Sequence, residues 1–172
     1  MIQLQIFKIW KKKIGINLSN NQKIIEFSPL TYKYLNIISK KINSFHGGLL
    51  IIDYGYIEKK MKNSLQSVYK HKFNQVLENF GKSDITHNIS FHLLKKITKK
   101  LNLKVAGLAT QKDFLTKLGI VQRAEIISKN LQFSKKANIY YRLKRLIDNK
   151  FMGNLFKVML VTKKNNKFNL GF

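Results

Sequence analysis

The chain has 172 residues, with 33 Lys plus Arg against 8 Asp plus Glu, a formal net charge of +25, and no cysteine. That length fits one domain with room for a single core, and 44% hydrophobic residues is too many for a disordered chain even at that charge. Without cysteine there is neither a disulfide framework nor a Cys-based zinc site, and the longest aliphatic run, Leu49-Leu50-Ile51-Ile52, is too short to span a bilayer as a helix.

Ile2, Leu4 and Ile6 alternate with polar neighbours and predict a short strand, which Trp10 to Ile16 extends as one arm of a hairpin. Met1 to Lys13 has neither the continuous apolar core of a secretory signal nor the Arg and Ser richness of a transit peptide. It reads as folded chain of a soluble protein in a cytoplasm or an organelle matrix. Ser19-Asn20-Asn21 is a turn cluster. Ser28-Pro29 marks a helix start, with Ser28 capping free backbone N–H groups and Pro29 at the first helical position. Leu30, Tyr34, Ile38 and Ile42 give that helix an apolar face, and Gly47-Gly48 ends it.

Leu49 to Ile52 is an all-apolar run that suits a strand buried on both faces of a parallel sheet. It delivers Asp53-Tyr54-Gly55 to its C-terminal end, where α/β sheets place ligand contacts. Ser64 to Asn79 reads as a weak helix or an irregular crossover. Ser90 caps a clearer helix with Phe91, Leu94, Ile97 and Leu101 on one face. Leu103 to Leu108 predicts a strand. Thr110 to Asp113 has capping-box spacing for a short helix through Leu118, with Gly119 as its C-cap. Helices follow over Ile120 to Leu131 and from a Ser134 cap to about Asp148, then a strand over Leu155 to Thr162 and a polar turn to Asn169. Strands alternating with helices argue for a layered α/β sheet in one domain, residues 1–172. The strands are few for a self-sufficient sheet, so part of the domain is expected to be missing.

The basic charge is almost wholly lysine: Arg123, Arg142 and Arg145 are the three arginines. Base-edge reading favours the arginine fork. Lys, Asn and Ile share AT-rich codons, so a generally basic surface is favoured over a dedicated nucleic-acid stripe. An RNA- or DNA-binding protein, or a module that completes another chain's fold, stays as the alternative.

No glycine-rich phosphate loop and no nucleophile elbow is present. His46, His71, His87 and His92 have no metal-binding spacing, so no metal is expected. Asp53 carries two readings: a carboxylate facing a cleft and engaging a cationic substrate, or an acceptor of backbone hydrogen bonds that fixes its loop. Tyr54 lines the same cleft or is an ordinary wall residue. His71 is a general base or clamp, or a structural hydrogen-bonder. Asp84, Thr86 and His87 order an active-site loop or perform local turn chemistry. For Gln111 and Arg123, a substrate contact competes with a helix cap and a surface charge.

Six segments in order carry a resemblance. They are Glu26 to Pro29, Gly47 to Gly55, Ser64 to His71, Ser83 to Phe91, Thr110 to Ala124, and Met152 to Val158. Together they resemble the MidA-type S-adenosylmethionine-dependent methyltransferases, from about residue 10 to the end. The resemblance implies the C-terminal part of a Rossmann-like class I methyltransferase fold with inserted helices. It implies a protein substrate, since the mitochondrial member methylates a protein arginine and serves respiratory complex I assembly. It places the protein in a bacterial cytoplasm or the mitochondrial matrix. Family members are about twice as long, and their N-terminal half holds S-adenosylmethionine. The expectation is therefore an incomplete domain that does not bind the cofactor alone and partners an N-terminal methyltransferase half. Asp53 is expected to pair with the acceptor guanidinium, Tyr54 to wall the channel, and His71 or Asp84 to order its roof.

Overall fold

The computed structural model describes residues 11–12, 14–18 and 23–172. The strand expected at Ile2 to Ile6 and the turn at Ser19 to Asn21 lie outside the described residues. The hairpin arm expected from Trp10 to Ile16 is not found where it can be judged. Lys11, Lys12 and Ile14 are helical, and the Gly15 N–H donates to the Lys11 carbonyl at 3.0 Å.

In order, the elements are α1 (Pro29–Phe45), β1 (Gly48–Tyr56), β2 (Gln66–Tyr69), β3 (Lys72–Asn74), β4 (Asp84–Thr86), β5 (Ile89–Ser90), α2 (Phe91–Lys100) and β6 (Leu103–Thr110). Then come α3 (Gln111–Lys117), α4 (Ile120–Ser128), α5 (Phe133–Ile147), α6 (Met152–Leu155) and β7 (Phe156–Lys163). The main sheet has the order β5-β1-β7-β6, and β3-β2-β4 form a second, smaller sheet. Among the described residues, no helix is long and apolar enough to cross a membrane.

Local chemistry sets several boundaries as expected. Ser28 accepts from the Thr31 N–H and Ser90 from the Leu93 N–H, so α1 and α2 start where their caps predict. Thr110 accepts from the Asp113 N–H at 3.1 Å, and its hydroxyl donates to the Asp113 carboxylate at 2.6 Å. Gly119 has φ +80°, a left-handed conformation that glycine adopts without a Cβ clash, and it separates α3 from α4.

Four expectations are corrected. First, β1 runs antiparallel to β7 and pairs in parallel only with the two-residue β5, at Gly55 and Tyr56. It is also not buried on both faces. Leu49 and Ile51 pack on the core, but Leu50 and Ile52 are 45% and 49% exposed. Their cross-strand partners Leu160 and Val158 are buried, so the cover on that face stops short of β1.

Second, Ser64 to Asn79 holds no helix. β2 and β3 form a hairpin whose two-residue turn, Lys70-His71, has φ +49° and +63°. Such a turn matches the twist of paired strands, but Asn-Gly is its usual signature, and lysine-histidine gives no sequence signal. Third, Leu30 and Tyr34 are about 60% exposed, whereas Leu35, Ser39 and Ile42 are buried. The inward face of α1 is thus rotated from the predicted one. α1 also ends at Phe45 with His46 in the left-handed position, ahead of the glycines. Fourth, Ser134 does not cap α5. Gln132 stands at the cap with no side-chain hydrogen bond, and Ser134 lies inside the first turn.

One cluster of apolar residues joins Leu35 and Ile42 of α1, Phe91, Leu94 and Ile97 of α2, and Met159 and Val161 of β7. It fixes α1 and α2 against one face of the main sheet, along the flank of β1.

Candidate functional site

β1 carries Asp53 in its C-terminal half and runs on past it through Tyr54, Gly55 and Tyr56, later than the strand end expected at Asp53. The Asp53 Oδ1 accepts from the Tyr54 N–H at 2.8 Å. That bond is the structural role anticipated for this side chain, and it engages one oxygen. Oδ2 has no hydrogen-bond partner among the described residues, so half of the carboxylate remains open to a ligand. Tyr54 packs edge-on against Phe156, its cross-strand partner, with ring centroids 5.7 Å apart.

Opposite Asp53 in the β1–β7 register stands Lys157, which is 9% exposed and donates to the Asn154 carbonyl. Burial pushes its ammonium below the usual lysine range. The Glu58 charge pulls it back up, and Lys62 lowers it further. The unfolded chain therefore holds more protons between the folded value and the ordinary 10.5, and stability rises with pH across that window. Below the window the buried charge is a net cost. Lys157→Met is expected to stabilise the protein by about 1 kcal/mol at neutral pH, and the gain should shrink as the pH approaches 10.5. Thermal unfolding of both proteins over that range checks this. A lower Tm for the variant at neutral pH would mean that the bond to Asn154 outweighs the burial.

A second polar group lies near the same end of β1. Ser64 faces Asn88 by extension of the β2–β4 register, in which Gln66 pairs with Thr86. The Asn88 N–H donates to Ser64 Oγ at 3.0 Å, and the Ser64 hydroxyl lies 3.2 Å from both carboxylate oxygens of Glu26. His87 Nδ1 is 4.0 Å from Glu26 Oε2. The Glu26 backbone is itself held, its N–H donating to Met61 Sδ at 3.3 Å. Because Ile89 and Ser90 pair with Gly55 and Tyr56, this cluster stands beside the C-terminal half of β1, which bears Asp53. It opens on a cavity of about 510 Å³ between α1, α2 and β1, lined by Ile51, Leu65, Leu93 and Ile97 among others. That volume is in the range of small-ligand sites.

The other anticipated residues lie elsewhere. His71 is exposed in the β2–β3 turn, at the end of β2 remote from Ser64, roughly 17 Å along the strand at 3.3 Å per residue. Asp84 is exposed on β4 opposite Val68. Thr86 accepts from the Gln66 side chain at 3.0 Å, so this segment builds the small sheet. Gln111 is buried and donates to the Leu146 carbonyl at 2.8 Å, tying α3 to α5. Arg123 is exposed on α4. Successive side chains of a strand project from opposite faces, so Asp53 shares the face of Ile51 and Tyr54 that of Ile52, and His71 and Asp84 stay on the small sheet: the structure does not bring these four residues together. Glu26, Ser64 and Lys157 carried no signal as isolated residues, although each lies in one of the six segments that resemble a family.

Residues 7–109 match the model of a family described as "Putative S-adenosyl-L-methionine-dependent methyltransferase". The mitochondrial protein arginine methyltransferase NDUFAF7 of Xenopus tropicalis is 26% identical over 138 residues, which is 80% of this chain and 32% of that protein. Its mitochondrial homolog in Caenorhabditis elegans is 33% identical over 98 residues, 57% of this chain and 23% of that one. An uncharacterized protein of Burkholderia thailandensis superposes with a TM-score of 0.72 at 18% identity, covering 89% of this chain and 42% of its own. A structure from that organism, of a likely methyltransferase solved with S-adenosyl-homocysteine bound, gives a TM-score of 0.66 at 19% identity, covering 81% of this chain and 37% of its own. The chain spans about a third or less of the length of the curated relatives it matches.

Proposed function

From the premise that this chain belongs to the family of S-adenosyl-L-methionine-dependent methyltransferases that it matches over residues 7–109, we propose that it forms the acceptor side of a protein arginine methyltransferase. The observation that carries this reading is the Asp53 carboxylate in the C-terminal half of β1, held by one oxygen and open at the other. A guanidinium is a weak nucleophile until its charge is held and its nitrogens are oriented, and a carboxylate does both through parallel hydrogen bonds. Tyr54, on the opposite face of β1, and His71 and Asp84, exposed on the small sheet, take no part in this reading of the site. An arginine in a protein is the proposed acceptor, and a subunit of respiratory complex I is the candidate that the family resemblance suggests. A mitochondrial matrix or a bacterial cytoplasm is the proposed location.

The described residues do not fit S-adenosylmethionine. Their large cavity is walled mainly by aliphatic side chains, with no glycine-rich turn to approach a nucleotide. A Cβ on Gly55 would lie 2.2 Å from the Ile89 carbonyl, so that glycine serves backbone packing and leaves no cradle. We therefore assign the donor side to polypeptide outside these 172 residues, an N-terminal methyltransferase half. Half-exposed Leu50 and Ile52 on β1, and the fraction of its relatives that the chain covers, support this.

Isothermal titration tests the reading. The chain alone is expected to show no micromolar affinity for S-adenosylmethionine. Mixed with the part of a Burkholderia thailandensis relative that it does not cover, it should gain binding and transfer methyl to arginine peptides. Micromolar binding by the chain alone would overturn the division of labour. In the active mixture, Asp53→Asn keeps the acceptor for the Tyr54 N–H and loses the charge. It should cut turnover by about tenfold to a hundredfold while sparing cofactor affinity. Unchanged turnover removes Asp53 from the site.

A further inference from the structure

Among the described residues, the wall of the cavity beside β1 contains one acidic residue, Glu26, and no lysine or arginine. The Glu26 side chain is 22% exposed, and His87 Nδ1 lies 4.0 Å from its Oε2.

The carboxylate is also under-used. An ionised carboxylate offers about four acceptor positions. A serine hydroxyl has one hydrogen, so Ser64 satisfies at most one of them although it lies within reach of both oxygens. His87 supplies at most one more. The remaining positions suit a donor that brings two parallel N–H groups. The apolar wall beneath, with Leu65, Leu93 and Ile51, suits an aliphatic stem. A low-dielectric wall strengthens a charge pair, but it repays the desolvation of a cation only when the hydrogen bonds are bidentate. That condition favours a guanidinium over an ammonium.

We propose that Glu26 binds the guanidinium of an arginine side chain lying in this cavity, with Ser64 as the positioning residue that orients the carboxylate. The inference rests on the arginine-acceptor reading and deepens it. Asp53 is not part of the cavity wall, so Glu26 is a second carboxylate.

The test uses the whole chain, labelled with 15N and titrated with N-acetyl-arginine methylamide. Saturable shifts are expected at the backbone amides of Glu26, Ser64, His87 and Asn88. Glu26→Gln should raise the dissociation constant at least tenfold, and Ser64→Ala should raise it about threefold. Glu125→Gln, on an exposed position of α4, should change nothing. The neutral citrulline counterpart of the probe should not bind. Ser64→Ala keeps the carboxylate, so it gives a reading even if Glu26→Gln fails to fold.

Equal binding of the citrulline compound, undiminished binding by Glu26→Gln, or shifts confined to another surface would each overturn the proposal. The two readings fail separately. If the probe binds at Glu26 but the active mixture methylates no arginine, the site stands and the acceptor reading falls. If methylation proceeds unchanged in Glu26→Gln, the site falls and the acceptor reading stands.

Discussion

Gly55→Ala is expected to destabilise the protein by about 3 kcal/mol, a fall in Tm of about 6–12 °C for a domain of this size. Gly55 pairs with Ile89 where β5 joins β1. A Cβ there would lie 2.2 Å from the Ile89 carbonyl oxygen and 2.9 Å from the Phe91 ring. The oxygen is backbone and cannot swing aside as a side-chain tip can, so β5 must separate from β1. Gly47→Ala is the control. Its Cβ would meet nothing within 4 Å, and its stability should stay within about 0.5 kcal/mol of the parent. If Gly55→Ala melted like the parent, the β1–β5 junction described above would not exist in solution.

Phe91→Ala should cost more, about 4 kcal/mol, or about 8–16 °C in Tm. Phe91 is fully buried at the start of α2, joins the main apolar cluster and meets Gly55. Truncation leaves a void that a helix start anchored by its Ser90 cap and a paired strand cannot close. Phe91→Leu retains much of the volume and should lose less than half as much. Chemical denaturation of the three proteins reads the difference. Equal losses for Leu and Ala would mean that the ring contact itself, and not the filled volume, supplies the stability.

Much of this architecture was legible where local chemistry and burial agree. Ser28-Pro29, Ser90 and Thr110 each place a helix start correctly, because a capping side chain acts within three residues of itself. β1, β6 and β7 follow from short β-branched and aliphatic runs. The small sheet was not legible. Its defining turn, Lys70-His71, takes the left-handed conformation without glycine or asparagine, so tertiary pairing overrides the local preference. The rotated face of α1 has a similar cause. Leu30 and Tyr34 keep the apolar spacing, yet the cover they would need is not there.

The candidate site divides along the same line. Asp53 stood out in the sequence because it follows an all-apolar strand run, a position that local pattern can mark. Glu26 and Ser64 did not stand out, since 38 residues separate them, and His87 did so only as part of a polar loop ahead of α2. No spacing rule encodes a contact made by folding a small sheet back onto a helix entrance.

The contrast between a cavity wall whose described residues bear one carboxylate and a chain of net charge +25 bears on the sequence context around the acceptor. Far from the protein, an approaching peptide senses the net field, which repels cations; only within the pocket does the local carboxylate dominate. A target whose arginine is flanked by aspartates and glutamates is drawn in by the first and retained by the second. One flanked by further lysines is turned away before it docks. That preference should fade as ionic strength rises, and a preference untouched by salt would place its origin in direct contacts instead.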